Sequence, residues 1–165
     1  MERNVMIKFV VDDVPWLVPD SILFLDKILH EHSMVIETGS GGSTVWLAQR
    51  VLCVVTFEHK KEWVKATQNV LDEKGLENVQ FFLDPEYPIN GIGSQTAYLY
   101  DLALIDGRGR VQSIKTILPK IKPGGYVCLD NSERPKYQPA VKLLDRTCTS
   151  KATFKERWET SFWKI

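Results

Sequence analysis

The run Glu37-Thr38-Gly39-Ser40-Gly41-Gly42-Ser43-Thr44 concentrates more potential chemistry than any other stretch of the chain. Its glycines permit a tight turn and let a ligand approach the backbone closely. Glu37 stands two residues ahead of the first glycine, where a carboxylate can meet a cationic ammonium directly or through water. Glu58 follows Gly39 by 19 residues, the spacing at which an acid on the next strand accepts hydrogen bonds from both hydroxyls of a ribose. A glycine-rich run alone is equally an ordinary strand-to-helix turn. With the second acid it reads as a grip on a nucleoside.

Dinucleotides and S-adenosylmethionine both present such a ribose, and three features favour the second. Glu37 suits the methionine ammonium. Thr44 stands where a dinucleotide fingerprint has its third glycine, which leaves less room for a pyrophosphate against the helix N-terminus. The chain also closes with a hairpin foreign to the ordinary dinucleotide fold.

A second group of residues suits the reacting centre. Asp106, Asp130 and Asn131 fall at the ends of later strands, beside the crevice where open α/β sheets bind ligands. There they can align an acceptor and help remove its proton. Each is also an ordinary strand-exit residue. Arg108, Arg110 and Arg134 offer guanidinium forks for a carboxylate, phosphate or acidic sugar. Their other use is surface solvation, or pairing with Asp101 or Glu133. Tyr137, three residues after Arg134, either faces the same pocket or packs at a helix start.

These residues are positioned by short apolar runs alternating with amphipathic stretches, which predicts an α/β architecture. Strands are expected at Met34 to Glu37, Cys53 to Phe57, Val79 to Leu83, Asp101 to Ile105 and Tyr126 to Asp130. Helices are expected from Pro19 to about Glu31, Thr44 to Arg50, Lys60 to Lys74, Gln112 to Ile121 and Gln138 to Thr147, with Gly75 ending the third. In the third, Trp63, Ala66, Val70 and Leu71 share a face. Ala152 to Trp158 and Thr160 to Ile165 stand too close together for a crossover helix and must pair antiparallel. The sum is a mostly parallel seven-stranded sheet closed by an antiparallel C-terminal hairpin.

Length and composition fit one domain over residues 1–165, with 1–15 as an N-terminal extension. The 165 residues include 44% hydrophobic ones, enough for one core. Lys plus Arg and Asp plus Glu each number 21, so no net field draws the chain to nucleic acid or an anionic membrane. Cys53, Cys128 and Cys148 form no paired framework and read as reduced thiols. No apolar run reaches the roughly 20 residues of a spanning helix, and the expected setting is cytoplasmic. His30 and His32 suit the C-terminal end of the first helix. Trp16, Trp46, Trp158 and Trp163 read as core or subunit surface, and Trp63 as an edge of the ligand pocket. Asp84 to Tyr100, with Pro85, Pro88, Gly91 and Gly93, shows no helical period and is either a lid or a plain connection. Aromatics near the hairpin make a homodimer reasonable.

From about Trp16 to Ile165 the sequence resembles the class I S-adenosylmethionine-dependent methyltransferases, through VIETGSGGST, VVTFEHKKEW, NVQFFLDP, DLALIDG, IKPGGYVCLDN and ETSFWKI. The resemblance implies a three-layer Rossmann-like methyltransferase fold. It implies that Glu37, Thr38, Gly39, Ser40, Gly41 and Thr44 hold the methionine half, that Glu58 takes the ribose and that His59 flanks the adenine. Asp84 would meet the adenine amino group, and Asp106 matches the acid after the fourth strand. Gly42-Ser43 departs from the commonest pattern, which has these two types in reverse order. Cation-dependent O-methyltransferases hold Mg²⁺ with an Asp after the fourth strand and an Asp-Asn pair after the fifth. Arg108 and Arg110 beside those positions disfavour the metal here. The implied activity is methyl transfer to a small-molecule or saccharide-type acceptor, at oxygen. The alternatives are a non-catalytic S-adenosylmethionine-binding module or subunit and, further off, an NAD-dependent dehydrogenase.

Overall fold

A computed structural model describes residues 10–84 and 89–165. Seven strands form one sheet, in chain order β1 (Met34–Thr38), β2 (Cys53–Glu58), β3 (Val79–Leu83), β4 (Tyr100–Ile105), β5 (Ile121–Asp130), β6 (Ser150–Lys155) and β7 (Glu159–Lys164). Their order across the sheet is β3-β2-β1-β4-β5-β7-β6. The first five pair in parallel, and β7 runs antiparallel between β5 and β6. Six helices cover the faces: α1 (Pro19–Ile28), α2 (Gly42–Ala48), α3 (Lys61–Lys74), α4 (Ile89–Gly93), α5 (Arg110–Ile117) and α6 (Gln138–Thr147).

Alternation along the central strands divides the core. Ile36, Val55, Ala103, Ile105, Val127 and Leu129 face Ile114 and Ile117 of α5 and Ala140, Val141 and Leu144 of α6. Their neighbours Val35, Val54, Leu102, Leu104 and Cys128 face Leu25 of α1 and Trp46 and Leu47 of α2. This is the three-layer Rossmann-like methyltransferase fold. Strands β1 and β4 are neighbours whose onward connections lead to opposite sides, so a crevice opens where their carboxyl ends diverge.

Three expectations change. Pro123-Gly124-Gly125 lies inside β5 rather than before it: Ile121 pairs with Tyr100, Tyr126 with Leu102, and the extra residues bulge out between them. Gly124 takes φ 84° there, and a Cβ on Gly125 would stand 2.8 Å from the Asp101 carbonyl. Helix α5 therefore ends early, at Ile117, where a 3₁₀ turn at Leu118–Lys120 leads into the strand; its start also lies two residues earlier than expected, at Arg110. The stretch after Asp84 contains α4, whose Ile92 is fully buried and whose Gly91 rests against the Phe57 ring. Pro85 and Pro88 lie outside the described residues, as do positions 1–9 of the expected N-terminal extension. Helix α1 stops at Ile28, so His30 and His32 sit in the exposed turn beyond it. Gly75, at φ 65°, caps α3 as expected. The three cysteines are unbridged. Among the described residues no helix is long and apolar enough to cross a membrane.

Candidate active site

A cavity of about 770 Å³ opens over the carboxyl ends of β1, β2 and β4. Its floor is two loops pressed together. Gly39 has φ 89°, and a Cβ on it would come within 2.9 Å of the Gly107 nitrogen. A Cβ on Gly107 would meet the Gly39 nitrogen at 2.8 Å. Thr38 fastens the contact through its carbonyl, which accepts from the Asp106 and Gly107 N–H groups at 3.1 and 2.7 Å. Asp106-Gly107 is thus more than a turn: its glycine lets the loop after β4 lie against the loop after β1.

Glu37 lies beneath this floor. It is fully buried and does not line the cavity; the Ser43 hydroxyl donates to Oε1 and the Thr44 hydroxyl donates to Oε2 at 2.6 Å. Thr44 Oγ1 in turn accepts from the Gly41 N–H at 3.0 Å, satisfying a donor at the start of α2. Desolvation pushes the Glu37 carboxyl up to about 7. Ser43 does line the cavity. Glu37 consequently acts on the cavity through Ser43, rather than by direct contact.

Glu58 is 3% exposed at the tip of β2 and does line the cavity. Oε2 accepts from the Ser40 N–H at 2.9 Å, with the Ser40 hydroxyl farther off at 3.4 Å. Oε1 accepts from the His59 and Lys60 N–H groups at 2.8 Å each, and His59 Nδ1 is 2.7 Å away. The other imidazole nitrogen, Nε2, is buried without a hydrogen-bond partner. Asp84 stays off the cavity wall, and its N–H donates to the Glu58 carbonyl at 2.9 Å.

Asp106 lines the cavity, and burial raises its carboxyl to about 6, with Arg110 opposing the rise and Asp130 adding to it. Arg110 is buried, and its donors are engaged. Nε reaches the Gly107 carbonyl at 3.0 Å, Nη1 the Asp130 carbonyl at 2.5 Å, and Nη2 both the carbonyl and Oδ1 of Asp106 at 2.6 and 2.8 Å. Its guanidinium lies 4.8 Å from the Tyr137 ring centroid. Arg110 is therefore a clamp between the ends of β4 and β5, while Arg108 and Arg134 remain exposed on the rim. Arg134 stands 3.9 Å from Glu133, and Asp101 pairs with Lys122 rather than with an arginine.

Asp130 and Asn131 do not line the cavity. Asp130 Oδ1 accepts from the Thr160 hydroxyl at 2.7 Å and the Trp158 indole at 3.1 Å, and burial raises its carboxyl above the usual range. Asn131 takes φ 52°, a left-handed conformation this residue type accepts readily, and turns the chain out of β5. The Asp106, Asp130 and Asn131 set does not fit Mg²⁺: Arg110 stands between the strand ends, and Thr160 and Trp158 hold Asp130. Among the described residues no group of three or more His, Cys, Asp or Glu side chains could hold a metal ion.

The cavity also takes residues the sequence did not mark for it: Val10, Asp12, Trp16, Gln112 and Lys136. Trp16, expected to pack, is 68% exposed and stands edge-on to Trp63, with ring centroids 6.5 Å apart. An apolar residue outside any periodic segment carries no positional signal.

No protein-family profile matches the chain, and no curated protein matches it in sequence. Solved structures match its fold. A provisionally assigned methyltransferase from Streptococcus mutans, in complex with SAH, is 19% identical with a TM-score of 0.71, over 92% of this chain and 99% of that one. An rRNA methylase from Streptococcus thermophilus is 18% identical with a TM-score of 0.73, over 92% and 98%. A SAM-dependent O-methyltransferase from Thermotoga maritima is 16% identical with a TM-score of 0.74, over 96% and 68%.

Proposed function

We propose that this protein is an S-adenosylmethionine-dependent methyltransferase that acts on a small-molecule or saccharide-type acceptor at oxygen, by in-line transfer. The observation that carries the reading is the pair of buried carboxylates, Glu37 under Ser43 and Glu58 beside Ser40, flanking one glycine loop at one cavity. A ribose diol at Glu58 displaces the long Ser40 hydroxyl contact at 3.4 Å and leaves the backbone donors in place. Glu37 supplies negative charge below Ser43, where the cationic methionine end would lie. His59 lines the cavity next to Glu58 and would flank the base.

S-Adenosylmethionine supplies an activated methyl group on a sulfonium. The chain's own task is alignment and proton removal. Asp106, on the cavity lining and raised to about 6, is ionised at neutral pH and poised to accept an acceptor's hydroxyl proton. Arg110 and Gly107 hold it in place. At about 770 Å³ the cavity is in the upper part of the roughly 300–1,000 Å³ range of small-molecule sites, with room for a nucleoside ligand and a second reactant. Arg108, Arg134, Lys136 and Tyr137 on the rim suit an acceptor that carries an anionic group. The shared fold by itself does not choose the acceptor, since an rRNA methylase and an O-methyltransferase both have it.

Calorimetric titration with S-adenosylhomocysteine and NAD tests the reading. Wild type should bind the first and not the second. Glu58→Ala should weaken that binding by one to two orders of magnitude, on the order of 1.5–3 kcal/mol for a lost charged partner. Binding of NAD alone, or an unchanged affinity in Glu58→Ala, would refute it. A panel of hydroxylated acceptors, with and without Mg²⁺, then identifies the second substrate.

A further inference from the structure

Residues 10–16 form no helix or strand, yet they are held along their length. Val11 packs against Val45, Ala48 and Leu71 between α2 and α3. Asp13 accepts from Lys74 Nζ at 2.9 Å. The carbonyls of Asp12 and Val14 lie directly over Gly42: a Cβ there would stand 2.6 Å from the first and closer still to the second. Leu17, at the end of the segment, is buried in the core. These contacts account for the reversed Gly42-Ser43 order. Position 42 must be bare for the segment to sit on it, and position 43 must bear the hydroxyl that reaches Glu37.

The seated segment presents Val10, Asp12 and Trp16 to the cavity. Val10 and Trp16 are both exposed apolar residues of the cavity lining. Trp16 meets Trp63 edge-on, and Trp63 belongs to the first turn of α3, five residues beyond Glu58. A base attached to a ribose at Glu58 would face this aromatic corner.

We propose that residues 10–16 are a strap belonging to the ligand site, seated by Gly42, and that Trp16 with Trp63 forms the wall against the nucleoside end of the ligand. The proposal rests on the methyltransferase reading above. Covering an exposed indole with a nucleobase removes apolar surface from water and adds ring stacking.

Titrations of S-adenosylhomocysteine and 5′-methylthioadenosine into wild type, Trp16→Ala, Trp16→Phe and Gly42→Ala test it, with Leu23→Ala on the exposed side of α1 as control. Trp16→Ala should bind both ligands about tenfold more weakly, the scale of one base stacked on an aromatic ring, with an unchanged melting temperature. Trp16→Phe should recover most of that loss. Gly42→Ala should weaken binding and speed proteolytic cleavage within residues 10–16, because its methyl displaces the Asp12 and Val14 carbonyls. Wild-type affinity in Trp16→Ala overturns the strap while leaving the methyltransferase reading intact, and this arm decides even if Gly42→Ala fails to fold. Absence of binding by wild type overturns both.

Discussion

Replacing Glu37 by glutamine separates what the buried carboxylate costs from what it contributes. Burial raises this carboxyl from 4.5 to about 7, so between those values the folded chain holds a proton that the unfolded chain has released. Stability therefore falls as pH rises through that window, and the loss is complete above about pH 7. A displacement from 4.5 to about 7, at about 1.4 kcal/mol per pH unit, amounts to about 3 kcal/mol at pH 8 as an upper figure. Glutamine keeps the shape and stays neutral: its carbonyl can accept from Thr44 and its amide can donate to the Ser43 hydroxyl. Circular dichroism melts at pH 5, 6.5 and 8 should show Glu37→Gln close to wild type at the acid end. At pH 8 it should melt roughly 6–12 °C higher, from the usual relation of free energy to melting temperature at this size. Asp106 and Asp130 titrate in both proteins, so the difference between the two curves reports Glu37 together with its repulsion by Asp106. The same variant should bind S-adenosylhomocysteine more weakly, since the charge beneath Ser43 is gone. A melting-temperature difference that does not change with pH would refute the reasoning.

Arg110→Ala should destabilise the fold by about 2–4 kcal/mol in denaturant unfolding, because the Asp106 carboxylate and three main-chain carbonyls lose their donor together. Arg110→Lys should restore little, as an ammonium cannot span the ends of both strands. Once an acceptor is known, wild-type turnover should rise with pH through about 6 as Asp106 ionises. Asp106→Asn should turn over slowly with no such rise, while binding S-adenosylhomocysteine nearly as well as wild type. Full turnover in Asp106→Asn would leave alignment as the source of catalysis.

Much of the scaffold was legible because its signals are periodic or chemically narrow. Apolar runs of four or five residues marked β1 to β4, and the short gap near residue 158 allowed only a hairpin. Glu58 and Gly39 were legible through their separation alone. The start of β5 was not, since Pro123-Gly124-Gly125 has the composition of a turn and joins the strand because the chain bulges past Asp101 and resumes its pairing with β4 at Tyr126. Arg110 read as a ligand for anions because sequence gives charge but not depth. Buried at the end of β4, the same guanidinium spends its donors on the backbone. Glu37 was expected at a strand end, meeting a ligand directly or through water; it stands at the end of β1, fully buried beneath Ser43, a depth that residue type does not give. The segment over Gly42 left only an indirect trace, the reversed Gly42-Ser43 order, because its contacts there are made by carbonyls, whose own residue types carry no signal.

The glycine-to-glycine contact beneath the cavity has a mechanical result. Gly39 and Gly107 meet backbone to backbone with no side chain between them to repack, so the loops after β1 and β4 form one continuous floor, and on the proposed reading the platforms for donor and recipient are one casting. Neither can slide relative to the other, and the reach between them is fixed like the gap of a caliper. On that reading, a change in which acceptors fit would come from the removable jaws above, at Arg108, Arg134 and Lys136, where side chains can be exchanged without shifting the gauge.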